Sequence, residues 1–207
     1  MKKVLFFYCI LNSTFSYTQS NWQQFKMLSC SEKTWTVFHI FKAEKAAIVS
    51  KEAQRVSDSI AKTPLLDGDK SGGQIDAFRH AYWMARLLQE IGKNAARKLG
   101  KAHEKTNYQQ YKNRSLEDGE VPDKISSEMD LFNNSIGLTF TEKGVSCPKN
   151  GLIYRIVNAI LAGELKVIKK DSNNNYLTCD NQIISLEKIK HQWENEKYLV
   201  NSNYRLP

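Results

Sequence analysis

Apolar residues recur along most of this chain with the helical period. Between Ala43 and Lys62, Val49, Ala53, Val56 and Ile60 fall at i, i+4, i+7 and i+11, which predicts an amphipathic helix with one buried stripe. Thr63-Pro64 ends it, because the residue before proline is pushed out of helical geometry. LLDGDKSGG (65–73) then reads as turn chemistry. Ser71 with Gln74 forms a candidate capping box for a helix that runs to about Ile91 and stops near Gly92, although two glycines in its first turn weaken that signal. A further helix is expected from Lys93 to about Lys105, with Ala96, Leu99 and His103 on one side. Residues 106–124 are polar and aperiodic, which reads as a loop, either a lid or a plain connector. Ser127 to about Leu138 and residues 151–162 predict two more helices, the second closed by Gly163.

Beyond Gly163 the period shortens. LKVIKK and YLTCD flank DSNNN, the pattern of a β-hairpin. A last helix is expected over 185–196, with Leu186, Ile189 and Trp193 as its apolar side. At the other end, residues 19–34 predict an extended lead-in, and Trp35, Val37, Phe38 and Phe41 open the ordered part. The expected fold is mainly α: a compact helical bundle with a small C-terminal β-hairpin. One domain over 35–207 fits a length of 207 residues, which suits one well-buried core better than two.

Residues 1–18 read as a secretory signal peptide. Lys2 and Lys3 precede a short apolar run from Val4 to Leu11, and Ser16-Tyr17-Thr18 offers a cleavage site. The run is too short to span a bilayer, and no other segment is a candidate. The expected address is therefore secreted or periplasmic. The formal net charge is +8, and removing Lys2 and Lys3 still leaves 28 basic against 22 acidic residues. That balance favours an anionic substrate or surface as partner; a basic, soluble surface is the plainer explanation. Once Cys9 leaves with the signal, Cys30, Cys147 and Cys179 remain, without metal-finger spacing. An oxidising compartment permits one disulfide, with Cys147–Cys179 preferred among three pairings.

Polar residues on apolar helix faces carry the chemistry. Asp76 and His80 are four residues apart, about 40° around a helix, with Trp83 extending the row. A carboxylate so placed orients an imidazole and leaves its other nitrogen to take a proton or bind a metal. Arg79 can hold a phosphate or carboxylate bidentately, or simply pair with Asp76. His103 shares the stripe of Ala96 and Leu99 and so faces inward, whereas Glu104 points about 100° away. On the helix of EMDLFNN (128–134), Asp130, Asn133 and Asn134 share a face. Ser127-x-x-Asp130 is also a capping box, which would reduce Asp130 to a helix-start residue. His39 reads as a packing residue and His191 as exposed. HExxH, GxSxG, Walker and dinucleotide glycine motifs are absent from the sequence.

The strings GGQIDAFRHAYWMARLLQEIG, LGKAHEKTNY and DKISSEMDLFNNSIGL, in that order over about residues 35–140, resemble a bacterial domain family of unknown function. Its members occur as small secreted proteins and as modules at the ends of toxin-like proteins. The resemblance implies Asp76, Arg79, His80, Trp83, His103, Glu104, Asp130 and Asn133 as signature positions. Where relatives tend to carry His in the DLxNN motif, this chain has Phe132.

Two functional expectations result. One is a secreted hydrolase in which His80, oriented by Asp76, activates water as a general base or through a divalent metal ion shared with His103 and Asp130. Glu104 and Asn133 belong to that candidate catalytic set, and Arg79, Trp83 and Asn134 would hold a phospholipid or other phosphodiester. The other is a non-enzymatic interaction or toxin-associated module whose polar cluster is structural. No specific nucleic-acid motif is present, and the sequence leaves the oligomeric state open.

Overall fold

The computed structural model describes residues 22–23, 25–114, 121–145, 147–190 and 192–205. The proposed signal cleavage site and His191 lie outside them, as does the middle of the expected loop. Helix α1 (Cys30–Phe38) opens with a capping box: Ser29 Oγ accepts from the Glu32 N–H, and Glu32 accepts from the Ser29 N–H. The expected extended lead-in is instead largely helical: residues 22–23 and 25–27 are helical, and α1 begins at Cys30. Helix α2 (Ile40–Ile60) buries Ala46, Val49, Ala53 and Ile60 along the stripe read from the sequence. It starts three residues early and stops before Pro64.

Helix α3 (Gln74–Ile91) is the hub. Ile75, Phe78, Tyr82, Met84 and Leu87 are almost wholly buried, and so are the intervening Ala77, Ala81 and Ala85. A helix buried on this many sides must be packed by several neighbours, and α3 packs chiefly against α2 and α5, then α4 and α6. These partners are α4 (Lys93–Asn113), α5 (Lys124–Gly137) and α6 (Lys149–Ala162). The expected cap at Ser71 does not form. Gly73 is the N-cap residue of α3, while the Gln74 side chain accepts from Asp67 N–H and donates to Ser202 O.

Two further expectations fail because distant residues supply what the local sequence lacks. Helix α4 continues through 106–113, where Tyr108 and Tyr111 pack on Trp193 at centroid separations of 4.9 and 5.3 Å. Trp193 therefore serves α4, and the expected terminal helix shrinks to α7 (Leu186–Ile189). Strand β1 (Lys166–Ile168) pairs antiparallel with β2 (Leu199–Asn201), in register Val167 to Val200. The DSNNN turn does form, since Asp171 accepts from the Asn173 and Asn175 N–H groups. It closes only a single bridge, Lys170 with Tyr176.

The mainly helical fold with a small antiparallel sheet near the C-terminus is as the sequence predicts. The preferred Cys147–Cys179 disulfide is not: Cys30, Cys147 and Cys179 are all free thiols. Among the described residues no helix is long and apolar enough to cross a membrane.

Candidate functional site

The loop before α3 fixes the first group. Asp67 and Asp69 accept backbone N–H bonds from Asp69 and Ser71, winding the loop tightly. Gly72 adopts φ +81°, and a Cβ there would lie 2.8 Å from Ile168 Cδ1, so only glycine suits the position. Its N–H is thereby aimed at Asp76 Oδ2, 2.8 Å away. Lys170 holds the loop from the sheet side, donating to Asp69 Oδ2 and Ser71 O at 2.7 and 2.6 Å.

Helix α5 brings the second carboxylate. Its N-cap is Asp123, which accepts from the Ser126 N–H at 2.8 Å. Asp130 therefore sits in the second turn, and the capping explanation for it falls. Asp130 and Asn134 share the face of α5 that packs on α3, and both are buried. Close approach at Gly137 makes this possible, because a Cβ there would lie 2.5 Å from Ala81 O.

His80, only 4% exposed, lies between these groups. Its Nε2 is 3.4 Å from Asp76 Oδ1 and 3.3 Å from Asp130 Oδ1. Arg79 Nη2 is 2.6 Å from Asp76 Oδ1 and 3.3 Å from the same imidazole nitrogen. On the other side, His80 Nδ1 is 3.3 Å from Asn134 Oδ1. Asn134 Oδ1 can only accept, which assigns a proton to Nδ1, whereas Nε2 faces a guanidinium donor on one side and two carboxylate acceptors on the other. Burial pushes the Asp76 carboxyl up, but Arg79, His80 and the Gly72 N–H outweigh it and hold the group well below the usual carboxylate range. Asp76 is thus an anion at any physiological pH.

Two carboxylates converging on one imidazole nitrogen call for positive charge among them, which Arg79 supplies from one side and a bound cation or a second ring proton could supply between them. Ligand atoms of Asp76, His80 and Asp130 all fall within 4.8 Å of one another. Bonds of about 2.1 Å in a tetrahedral site put neighbouring ligands roughly 3.4 Å apart, which matches the two Nε2–oxygen distances. The donor set suits a divalent cation, and the Nδ1 bond to Asn134 is the usual orienting contact of a ligating histidine.

Other expected members lie elsewhere. His103 is 6.4 Å from His80, ring to ring, and its Nδ1 lies 3.2 Å from Glu32 Oε1, so Asp76 replaces it in the candidate ligand set. Glu104 is buried and accepts from Asn107. Asn133 clasps the Lys166 backbone with two 2.9 Å hydrogen bonds, tying α5 to β1. The amide that meets the imidazole is instead Asn134. Glu32 was missed as a site residue; its signal was the Ser29-x-x-Glu32 capping pattern in the stretch read as extended.

A cavity of about 350 Å³ opens beside His80. Arg79, His80, His103 and Glu32 give it a polar end, and Trp35, Trp83 and Leu99 contribute apolar walls. Trp83 is held in place by an Nε1–H bond to Ser50 Oγ at 2.9 Å. Asp76 and Asp130 line a smaller cavity of about 30 Å³ on the other side, and Arg79 borders both.

These features define a helical domain with a buried carboxylate–imidazole cluster beside an amphipathic cleft. The chain belongs to the family described as a domain of unknown function (DUF6973), whose model matches residues 33–164. That span contains the whole cluster and stops short of the sheet. No curated protein and no solved structure matches the chain.

Proposed function

We propose that this protein is a secreted, metal-assisted hydrolase of phosphodiesters, with phospholipid as the preferred substrate class. Asp76, His80 and Asp130 would hold a divalent cation of the zinc or manganese type, which lowers the pKa of a bound water. The observation that carries the reading is His80 Nε2 set against two carboxylate oxygens at metal-ligand spacing. Arg79 is the group for the phosphate: it is partly exposed, borders the cleft and shares Asp76 Oδ1. An arriving anion would draw its guanidinium toward the substrate and leave that oxygen to the cation. The apolar walls of the cleft suit the acyl part of a lipid. Secretion rests on the signal-like N-terminus and the basic charge.

A second reading is favoured by charge balance. A protonated His80 with Arg79 would offset Asp76 and Asp130, making a closed structural network in an interaction module. Thermal unfolding of chelator-treated protein, titrated with Zn²⁺ and Mn²⁺, separates the two. Metal at about 100 times its Kd should stabilise by roughly 2.7 kcal/mol, and Asp130→Asn should abolish the shift. Release of phosphate-linked product from phosphatidylglycerol vesicles should depend on the same metal and on His80. If neither cation moves the unfolding temperature and His80→Ala only melts lower, the hydrolase reading is wrong and the structural one holds.

A further inference from the structure

A third cavity, of about 340 Å³, lies on the far side of Asn134 from the imidazole, bordered by α3, α4 and α5. Met84, Leu131 and Leu138 give it apolar walls, and Arg97 and Lys101 stand at its edge. These two cations are one turn apart on α4, both are exposed, and neither forms an ion pair among the described residues. Asn134 is 4% exposed, and its Nδ2 has no hydrogen-bond partner among the described residues. Its Oδ1 is committed to His80, so the free N–H₂ turns the opposite way, toward Gly100, where an added Cβ would be 3.4 Å from Nδ2. Gly100 lines the same cavity.

A buried donor without an acceptor has lost its hydration with no bond in return. An anionic oxygen entering beside Arg97 and Lys101 would remove that cost and gain charge-assisted bonds. The apolar walls require the rest of the ligand to be hydrocarbon. We infer that this cavity binds a small amphipathic anion, a carboxylate carrying a short apolar chain. The carboxylate meets Asn134 Nδ2 and the two cations, and the chain packs on Met84, Leu131 and Leu138. The site stands independently of the water-activating reading of His80, since it uses the opposite edge of Asn134 and no metal.

Octanoate titrated into the full chain, followed by amide NMR and calorimetry, tests this. Saturable binding should shift the Asn134 side-chain N–H₂ resonances. The double variant Arg97→Gln/Lys101→Gln, on the exposed face of α4 and so expected to fold, should weaken it by about tenfold or more, the loss of one charge-assisted bond. Octanol should bind at least about tenfold more weakly for the same reason, and inorganic phosphate should bind more weakly than octanoate. The inference is overturned if the double variant binds octanoate as well as the parent does, or if octanol or phosphate matches octanoate. It is equally overturned if the indole signals of Trp35 and Trp83 move while Asn134 stays still, because the ligand would then occupy the His80 cleft.

Discussion

Gly137→Ala probes the contact that assembles the candidate site. Gly137 ends α5 against Ala81, the neighbour of His80 on α3. A methyl group there would stand 2.5 Å from Ala81 O and 2.8 Å from Ala81 Cα. Both are rigid backbone atoms, so α5 must retreat by about 0.9 Å to reach the 3.4 Å of ordinary contact. Asn134 lies one turn and Asp130 two turns back along the same face, so they move with it. Overpacking of this kind costs about 1–3 kcal/mol, partly offset by up to about 1 kcal/mol because alanine restricts the unfolded chain. In a domain of this size each kcal/mol shifts Tm by roughly 2–4 °C, so a fall of up to about 12 °C is expected. Displacement of that size at a working site costs on the order of 10²-fold in rate. Differential scanning calorimetry measures the first effect and hydrolysis of phosphatidylglycerol vesicles the second, with metal titration reading the integrity of the cluster. Gly100→Ala is the control: its nearest neighbour would be the flexible Met84 Sδ at 3.3 Å, and a mid-helix alanine should cost nothing or stabilise by about 0.5–1 kcal/mol. A Gly137→Ala protein with parental Tm and undiminished metal affinity would refute the idea that close packing of α5 on α3 holds the cluster together.

Two more predictions concern residues that the fold reassigns. Asn133→Ala should lower stability by about 2 kcal/mol, because it strands the Lys166 N–H and C=O, yet leave metal affinity near the parental value; a selective loss of metal binding would return Asn133 to the site. Burial pushes the Glu32 carboxyl up, but His103 and the Ser29 N–H and hydroxyl pull it down further, leaving it below its ordinary 4.5. A carboxyl depressed in the folded state stabilises above its unfolded pKa, and that contribution disappears as pH falls from about 4.5 through the folded value. Trp35 fluorescence, reporting α1 on α4 through the Nε1–H bond to Ala95 O, should therefore show an acid transition that Glu32→Gln lacks. Identical pH profiles for the two proteins would rule out this docking role.

Helical periodicity made α2, α3 and α6 legible, and Gly92 and Gly163 marked their ends or the start of a neighbour as glycine does elsewhere. The Asp76–His80 pairing was legible for the same reason: four residues along a helix place two side chains on one face whatever surrounds them. Asn134 was harder to rank, since Asn133 and Asn134 have the same chemistry, and only the direction of β1 shows which of them clasps backbone. His103 shared an apolar stripe with Leu99, but stripe membership says nothing about distance to another helix, and α1 inserts Glu32 as its partner.

What the sequence by itself determined, then, is what depends on neighbours within a turn or two: the helices, most of their apolar faces, and the carboxylate that accompanies His80. What only the tertiary structure decided is everything set by approach between distant segments. The extension of α4 over Trp193, the pairing of β1 with β2 and the arrival of Asp130 at Nε2 all belong there. Local periodicity specifies the direction of a side chain about its own axis, whereas the separation of two axes is set by packing, here by the missing side chain of Gly137 against Ala81.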